Sequence, residues 1–369
     1  AEAREMLPPE QEAIVQELAV DGYHGWSEMY DTIVSHIKIR HDGEELSVGQ
    51  AANRLHHPDR AVRRQLFGEW ERAWTEQEDL CAAVLNRIGG FRLSVYARRG
   101  WPSVLKEPLK LNRMTERTLD AMWAAVEEAK PVFADYLRRK AELLGLEKLS
   151  WEDVEAPLAE DRQSIGYDEA AAFVVEQFAE FSPHLAEFAQ RALRERWVEA
   201  EDRPGKRPGG FCTSFPVSGQ TRIFMTYSGT SSNIATLAHE LGHAYHDYVM
   251  IDLPEPAKQY AMNVAETAST FAEWILTDAM VRKAEDDGRK LVLLDEKVQN
   301  AVAFCMNIHA RFRFEVQFYE ERRKGMVTPE RLNELMLEAQ RAAYLDALDG
   351  YHPHFWASKL HFYLTDVPF

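Results

Sequence analysis

The chain has 369 residues, of which 46% are hydrophobic and 28% charged, and this length predicts two or three structural units. Its 43 basic and 60 acidic residues give a net charge of −17, which argues against a nucleic-acid partner, because affinity for a phosphate backbone depends on clustered Lys and Arg. No apolar run is long enough to span a bilayer, no signal peptide is recognisable, and the three cysteines include no CxxC pair. We therefore expect free thiols, no membrane partner and a cytoplasmic location.

Helical periodicity dominates the first part of the chain. Apolar residues recur at helical spacing across 59–98 and again across 115–144. In the first of these segments Gly89 and Gly90 predict a kink or a break. In the second, Pro131 predicts a bend or a division of the helix.

The pattern changes after a third predicted helix, which runs from about Tyr167 to Trp197. The polar stretch 201–210 is rich in Pro and Gly and predicts a connector. Two short β-like runs follow across 211–228, on either side of Ser218 and Gly219, and predict a hairpin. Helical patterns then continue to the end, so we expect a mainly α chain with one small β element.

The next predicted helix, 232–249, contains the sequence HELGH. On a helix, residues i and i+4 lie about 40° apart around the axis and about 6 Å apart along it, so His239 and His243 can share one ion. Glu240 is offset by about 100°, which places its carboxylate beside the ion's open face. Two His ligands and a Glu general base are the arrangement of metalloproteases. The flanking residues are small or apolar, and a His pair buried among them needs a partner, which a metal supplies.

A catalytic zinc needs a third protein ligand in addition to water. The metzincin continuation fails, because this chain has His246 at the Gly position and Val249 at the third His position. The alternative is a carboxylate from a later helix, predicted over 261–280. Glu266 lies there among small and apolar residues without a cation in helical reach. Glu273, one heptad later, is the competing candidate, and spacing favours Glu266 by about two to one.

These motifs resemble the oligoendopeptidase F branch of the thimet-oligopeptidase-like zinc metallopeptidases, a gluzincin group. The blocks SWEDVEAPLAED, HELGH, AETAS and GYHPHFWASKLHFYLTDVPF stand in the order of that family. In this resemblance Glu266, 23 residues after His243, matches the third zinc ligand.

The resemblance implies a multi-helix zincin-like fold with a deep channel and a small β hairpin beside the zinc helix. It implies a helical lobe at 1–200 and a catalytic region at 201–369. One Zn²⁺ per chain would be held by the two histidines and Glu266. The implied activity is hydrolysis of internal bonds in short peptides, by a water that Glu240 activates.

The resemblance also implies further site residues. His361 matches a substrate-contacting histidine of the family and is a catalytic candidate, while Gly229 and Tyr363 are expected to bind substrate. His352 and His354 are expected to be structural.

Two departures from the family leave alternatives open. Family members run longer at both ends, and their oxyanion-stabilising tyrosines follow the segment that matches 361–363. We therefore expect a chain truncated at both ends relative to the family, with those tyrosines beyond Phe369. The alternatives are a non-catalytic, zinc-bound relative that binds peptides and a zinc exopeptidase.

Overall fold

A computed structural model of the chain describes residues 5–159, 165–203 and 210–367. The structure is 68% helical with small sheets, which confirms the predicted mainly α class. Most of the connector predicted at 201–210 lies outside the described residues. Within the described residues, no helix is both long and apolar enough to cross a membrane.

The regular elements are as follows. In chain order, the α-helices are α1 (Pro9–Ala19), α2 (Gly25–His36), α3 (Val48–Arg54), α4 (Arg60–Thr75), α5 (Glu78–Arg98), α6 (Lys106–Leu111), α7 (Glu116–Leu143), α8 (Tyr167–Phe181), α9 (Pro183–Arg194), α10 (Ser231–Val249), α11 (Glu255–Lys258), α12 (Thr267–Lys283), α13 (Asp287–Val302), α14 (Ile308–Arg322), α15 (Pro329–Ala343) and α16 (Phe355–Ser358). The strands are β1 (Ile39–His41), β2 (Glu44–Leu46), β3 (Val198–Glu199), β4 (Gly210–Phe215) and β5 (Gln220–Met225).

The chain divides into two compact units. The first combines Ala1–Leu158 with Val298–Phe369, and the second is Ala159–Lys297. The predicted division into a lobe at 1–200 and a catalytic region at 201–369 follows other boundaries. It stays a prediction, since compactness alone does not delimit a catalytic region.

The break predicted at Gly89 and Gly90 is wrong. The segment 59–98 is divided between Thr75 and Glu78 and not at the glycines, because Gly89 and Gly90 lie inside α5. A Cβ at Gly89 would lie 2.9 Å from the Phe318 ring, so this glycine serves close packing against α14.

Pro residues have opposite effects on two other predicted helices. The helix α7 continues through Pro131. The helix predicted from Tyr167 to Trp197 is instead two helices, because Ser182 ends α8 and caps α9, whose first residue is Pro183. The Ser182 side chain accepts a hydrogen bond from the Leu185 backbone N–H, and proline at the first helical position has no N–H to leave unpaired.

The second unit contains the predicted hairpin. β4 and β5 pair antiparallel from Gly210 opposite Met225 to Phe215 opposite Gln220, and β3 adds to β5 in parallel. The strand order is therefore β3-β5-β4, with β4 at an edge. The inward face of β5 joins a core that also contains the apolar face of α10, which places the hairpin beside this helix.

In the first unit, a buried carboxylate joins the turn after α7 to α4. The Asp153 side chain is fully buried and accepts hydrogen bonds from Arg60 at 2.8 to 3.1 Å and from Arg63 at 2.8 Å. It also accepts from the Ser150 backbone N–H at 3.1 Å. Burial raises the pKa of Asp153, but the hydrogen bonds from the two guanidinium groups outweigh it, so the net shift is downward.

We predict that Asp153→Asn lowers the free energy of unfolding by about 3–5 kcal/mol, because it leaves the buried Arg63 charge without its counter-ion. Urea unfolding at pH 7 measures this change. The matched control is Glu142→Gln, which removes an exposed ion pair with Arg139 and should cost less than about 1 kcal/mol. Equal effects of the two substitutions would contradict the interpretation.

Candidate metal centre

The HELGH segment lies in the middle of α10, which begins at Ser231, one residue before the predicted start. Thr230 caps the helix, because its side chain accepts a hydrogen bond from the Asn233 backbone N–H. The Asn233 side chain in turn accepts a hydrogen bond from the Thr230 backbone N–H, which completes a capping box. Leu237, Ala238, Leu241 and Ala244 are fully buried in the core of the second unit. Burial of this face fixes the rotation of α10, so that both histidines lie on the adjacent, half-buried face.

Three potential ligand atoms converge beside this face. The Nε2 atoms of His239 and His243 lie 3.1 and 3.2 Å from Oε2 of Glu266. Among the described residues, these three side chains are the group whose donor atoms all lie within 4.8 Å of one another. Ligands at 2.0–2.1 Å from a tetrahedral zinc are separated by about 3.3 Å. The donor set and its spacing therefore fit a zinc ion.

Glu266 is placed by the start of α12. The predicted helix 261–280 begins later, at Thr267, and Glu266 is the residue just before it. Its Oε2 accepts a hydrogen bond from the Ser269 hydroxyl at 2.7 Å, and its backbone carbonyl accepts from the Thr270 N–H at 3.0 Å. These bonds direct the carboxylate back across the first turn of α12.

The approach of α12 to α10 depends on Gly242. A Cβ at this position would lie 2.7 Å from the Ala268 carbonyl oxygen and from Cα of Ser269, and 2.9 Å from Cβ of Ala272. Backbone atoms cannot yield as a flexible side chain does. The glycine inside HELGH is therefore required by the packing that brings Glu266 to the histidines.

Glu273, the competing ligand candidate, contacts Nδ1 of His239, the ring nitrogen that does not face Glu266. Its Oε2 lies 3.1 Å from Nδ1 of His239, whose Nε2 faces Glu266. A carboxylate that accepts from Nδ1–H holds a metal-ligating imidazole in the correct tautomer and orientation. Sequence reasoning gave no acceptor for His239. The heptad spacing of Glu266 and Glu273 predicted a shared face, but not which nitrogen each would meet.

Glu240 is buried beside the three donor atoms. Among the described residues, its Oε2 has no hydrogen-bond partner. Burial raises the pKa of this carboxyl to about 7, with the nearby His239 opposing and Glu266 adding to the shift. A buried carboxylate oxygen without a donor fits a group that receives a proton from water.

The two histidines have opposite pKa shifts. Burial lowers the pKa of His239, but the carboxylates of Glu273, Glu240 and Glu266 outweigh it and raise the pKa. Burial lowers the pKa of His243. Metal binding requires both imidazoles to be neutral, so protons compete with the ion mainly at His239.

The remaining predicted site residues are not part of this cluster. Gly229 lies in the loop before α10 with a φ of 88°, and its carbonyl accepts from the Ile165 N–H at 3.0 Å. His361 is exposed in a 3₁₀ turn, Leu360–Tyr363, of the first unit. Tyr363 is fully buried there and stacks on Tyr30 with ring centroids 3.7 Å apart. Their catalytic and substrate-binding roles stay predictions.

His352 and His354 lie in a buried network of the first unit. Both pair with Glu71, and His354 also contacts Glu78 at 3.0 Å. Burial raises the pKa of Glu71, but the two histidines outweigh it and lower the pKa to about 2. These contacts form a buried ion-pair network, and the structural role expected of the two histidines stays a prediction.

An i, i+4 histidine pair with a carboxylate from the following helix is the ligand geometry of a gluzincin-type metallopeptidase. Residues 54–365 match the family model described as Peptidase family M3. The chain therefore belongs to peptidase family M3.

Two relatives in sequence carry peptidase names. The chain is 27% identical over 328 residues to the Group B oligopeptidase PepB of Streptococcus agalactiae and 25% identical over 331 residues to the oligopeptidase PepF of Bacillus subtilis. These alignments cover 86% and 87% of this chain. They cover 54% and 49% of the relatives, so the chain spans about half the length of these proteins.

Solved structures confirm the fold. The chain superposes on oligoendopeptidase-F from Enterococcus faecium with a TM-score of 0.71 and 19% identity, covering 98% of this chain and 60% of that one. It superposes on PZ peptidase A with a TM-score of 0.78 and 20% identity, covering 97% of this chain and 64% of that one. The resemblance inferred from the motifs is thus confirmed at the level of family and fold.

We predict that Gly242→Ala weakens zinc binding by about ten-fold or more, because the added methyl pushes α12 and Glu266 away from the histidines. Competition with a chromogenic chelator measures the affinity. The control is Gly166→Ala in the same unit, where an added Cβ meets nothing within 4 Å. If both variants bind zinc like wild type, the helix crossing does not set the ligand geometry.

We predict that Glu273→Gln lowers zinc affinity by about 10–100-fold without removing the site, since the three ligands remain while His239 loses its charged acceptor. The same chelator competition applies, with circular dichroism to confirm folding. Complete loss of zinc would instead make Glu273 a direct ligand. An unchanged affinity would show that it does not orient His239.

Proposed function

We propose that this protein is a zinc-dependent endopeptidase that hydrolyses internal bonds of short peptides. The observation that carries the proposal is the convergence of the His239, His243 and Glu266 donor atoms beside a buried carboxylate, Glu240, whose Oε2 has no partner among the described residues. Family membership supports peptide-bond hydrolysis, and the names of the relatives, oligopeptidase and oligoendopeptidase, support short peptides as substrates.

The three donor atoms would hold one Zn²⁺. When bound, such an ion supplies Lewis-acid chemistry that acidifies water and polarises a carbonyl. Glu240 accepts the proton of the attacking water and passes it to the leaving amine. Its burial suits this exchange, because a pKa near 7 lets one group accept and release a proton at neutral pH.

The substrate backbone would lie along β4. Among the described strands β4 pairs only with β5, so an extended peptide would add to its other edge. Gly210, the first residue of β4, lies next to Glu240, the proposed general base. A Cβ added at Gly210 would lie 3.0 Å from Oε1 of Glu240. Peptide bound at this edge therefore runs past the carboxylate that serves the reaction.

Glu240→Gln tests the mechanism. We predict that zinc content stays at the wild-type level while turnover of an internally quenched peptide falls about 10²–10⁴-fold, because the amide cannot accept the water proton. The control is Glu285→Gln, an exposed acid of the same unit, which should retain activity. Turnover by Glu240→Gln at the control rate would contradict the assignment of the general base.

Peptides with blocked termini separate the two enzymatic alternatives. An endopeptidase cleaves a quenched peptide that is acetylated at its N-terminus and amidated at its C-terminus, whereas an exopeptidase does not. A wild-type chain that binds zinc and peptide but cleaves neither form would be the non-catalytic relative.

A further inference from the structure

A cavity lies wholly within the first unit, and none of its lining residues is a predicted metal ligand. Its volume is about 410 Å³, which falls in the range of small-molecule sites. Its wall is rich in aromatic side chains, namely Phe67, Trp70, Trp151, Tyr344 and Phe355.

Two cations also line this cavity. The Arg311 guanidinium and the Lys359 ammonium lie 6.0 and 5.9 Å from the centre of the Phe355 ring. The Arg311 Nε–H donates to Oδ1 of Asn307 at 2.8 Å. In the described part of the chain, no carboxylate oxygen lies within 4 Å of a charged nitrogen of either cation. Both charges are therefore held at an aromatic surface without a counter-ion in contact.

Two partly desolvated cations at one aromatic surface are energetically unfavourable without an anion in contact with them. Burial and then the neighbouring Arg311 charge outweigh the charge of Glu155 and lower the pKa of Lys359 to about 8. Burial lowers the pKa of Arg311, although Tyr344 and Glu155 oppose this shift. Desolvated charges of like sign cost free energy that an anion in hydrogen-bond reach offsets.

Two acids also line the cavity, and the charge of one of them, Glu155, raises the pKa of both cations without forming an ion pair with either in the described structure. Glu152 lies 3.9 Å from Arg64, and burial raises its pKa. Glu155 is exposed and lies 3.9 Å from His56. Each acid has a basic neighbour elsewhere, which leaves the cations as the groups a ligand would meet.

We propose that this cavity binds a small organic carboxylate with an aromatic or branched apolar body. The carboxylate lies between Arg311 and Lys359, and the body packs among the aromatic side chains of the wall. Such a ligand places a negative charge in contact with both cations and buries apolar surface in the same step. The residues of this site all belong to the first unit, whereas His239, His243 and Glu266 belong to the second.

Isothermal titration calorimetry with 3-phenylpropionate tests the proposal on the intact chain, both zinc-loaded and after treatment with EDTA. We expect saturable binding at one site per chain, equal in the two preparations. The neutral 3-phenylpropanamide, matched in shape, should bind about ten-fold more weakly or not at all. Absence of saturable binding, or equal binding of acid and amide, would overturn the proposal.

Variants localise the site. Lys359→Met should weaken 3-phenylpropionate binding about ten-fold and leave the melting temperature unchanged or higher, because it removes a half-buried charge that has no ion-pair partner in the described structure. Lys359→Arg should bind like wild type. The control Lys324→Met removes an exposed cation of the same unit and should also bind like wild type. Wild-type affinity in a folded Lys359→Met would place the ligand elsewhere and contradict the assignment.

Two further ligands distinguish the source of the carboxylate. L-phenylalanine that binds as tightly as 3-phenylpropionate indicates a free amino acid, because its ammonium is then tolerated. N-acetyl-L-phenylalanine that binds more tightly than L-phenylalanine indicates an acylated end, as in the C-terminal residue of a peptide.

Discussion

The close crossing of α10 and α12 at Gly242 is the constraint on which the metal centre depends. Each helix alone carries an incomplete site, since α10 supplies two imidazoles and the segment before α12 supplies one carboxylate. The glycine removes the side chain that would keep the two backbones apart. The same crossing brings Glu273, two turns into α12, to Nδ1 of the histidine whose Nε2 faces Glu266. One packing contact thus sets both the geometry of the three candidate ligands and the position of the carboxylate that orients His239.

The carboxylates at this site differ through their surroundings. Glu240 is buried against the hairpin, where burial raises its pKa to about 7. Glu266 is more exposed and accepts from the Ser269 hydroxyl. Glu273 accepts from an imidazole. Burial and hydrogen-bond partners thus distinguish the three carboxylates in the way that their proposed roles require, namely proton carrier, metal ligand and orienting acceptor, although all three residues have the same chemical group.

Features that depend on local residue spacing could be predicted from the sequence. The HELGH helix and the hairpin follow from periodicity and residue type, and the structure places them within a few residues of the predicted bounds. The choice of Glu266 over Glu273 as metal ligand stays a prediction, which the convergence of the Glu266 carboxylate with the two histidines supports. Predictions failed where tertiary packing decided the outcome. Gly89 and Gly90 do not break α5, because their missing side chains admit Phe318 and Arg322 of α14. The role of Glu273 also depended on a helix crossing that no local pattern encodes.

Zinc content of wild type and of Glu266→Ala, measured side by side by inductively coupled plasma mass spectrometry after gentle purification, tests the central claim most directly. The account predicts about one zinc per wild-type chain and its loss from the folded variant, because two imidazoles alone do not complete the site. Wild type without zinc, or a Glu266→Ala chain that retains it, would contradict the claim that these three side chains form the metal centre.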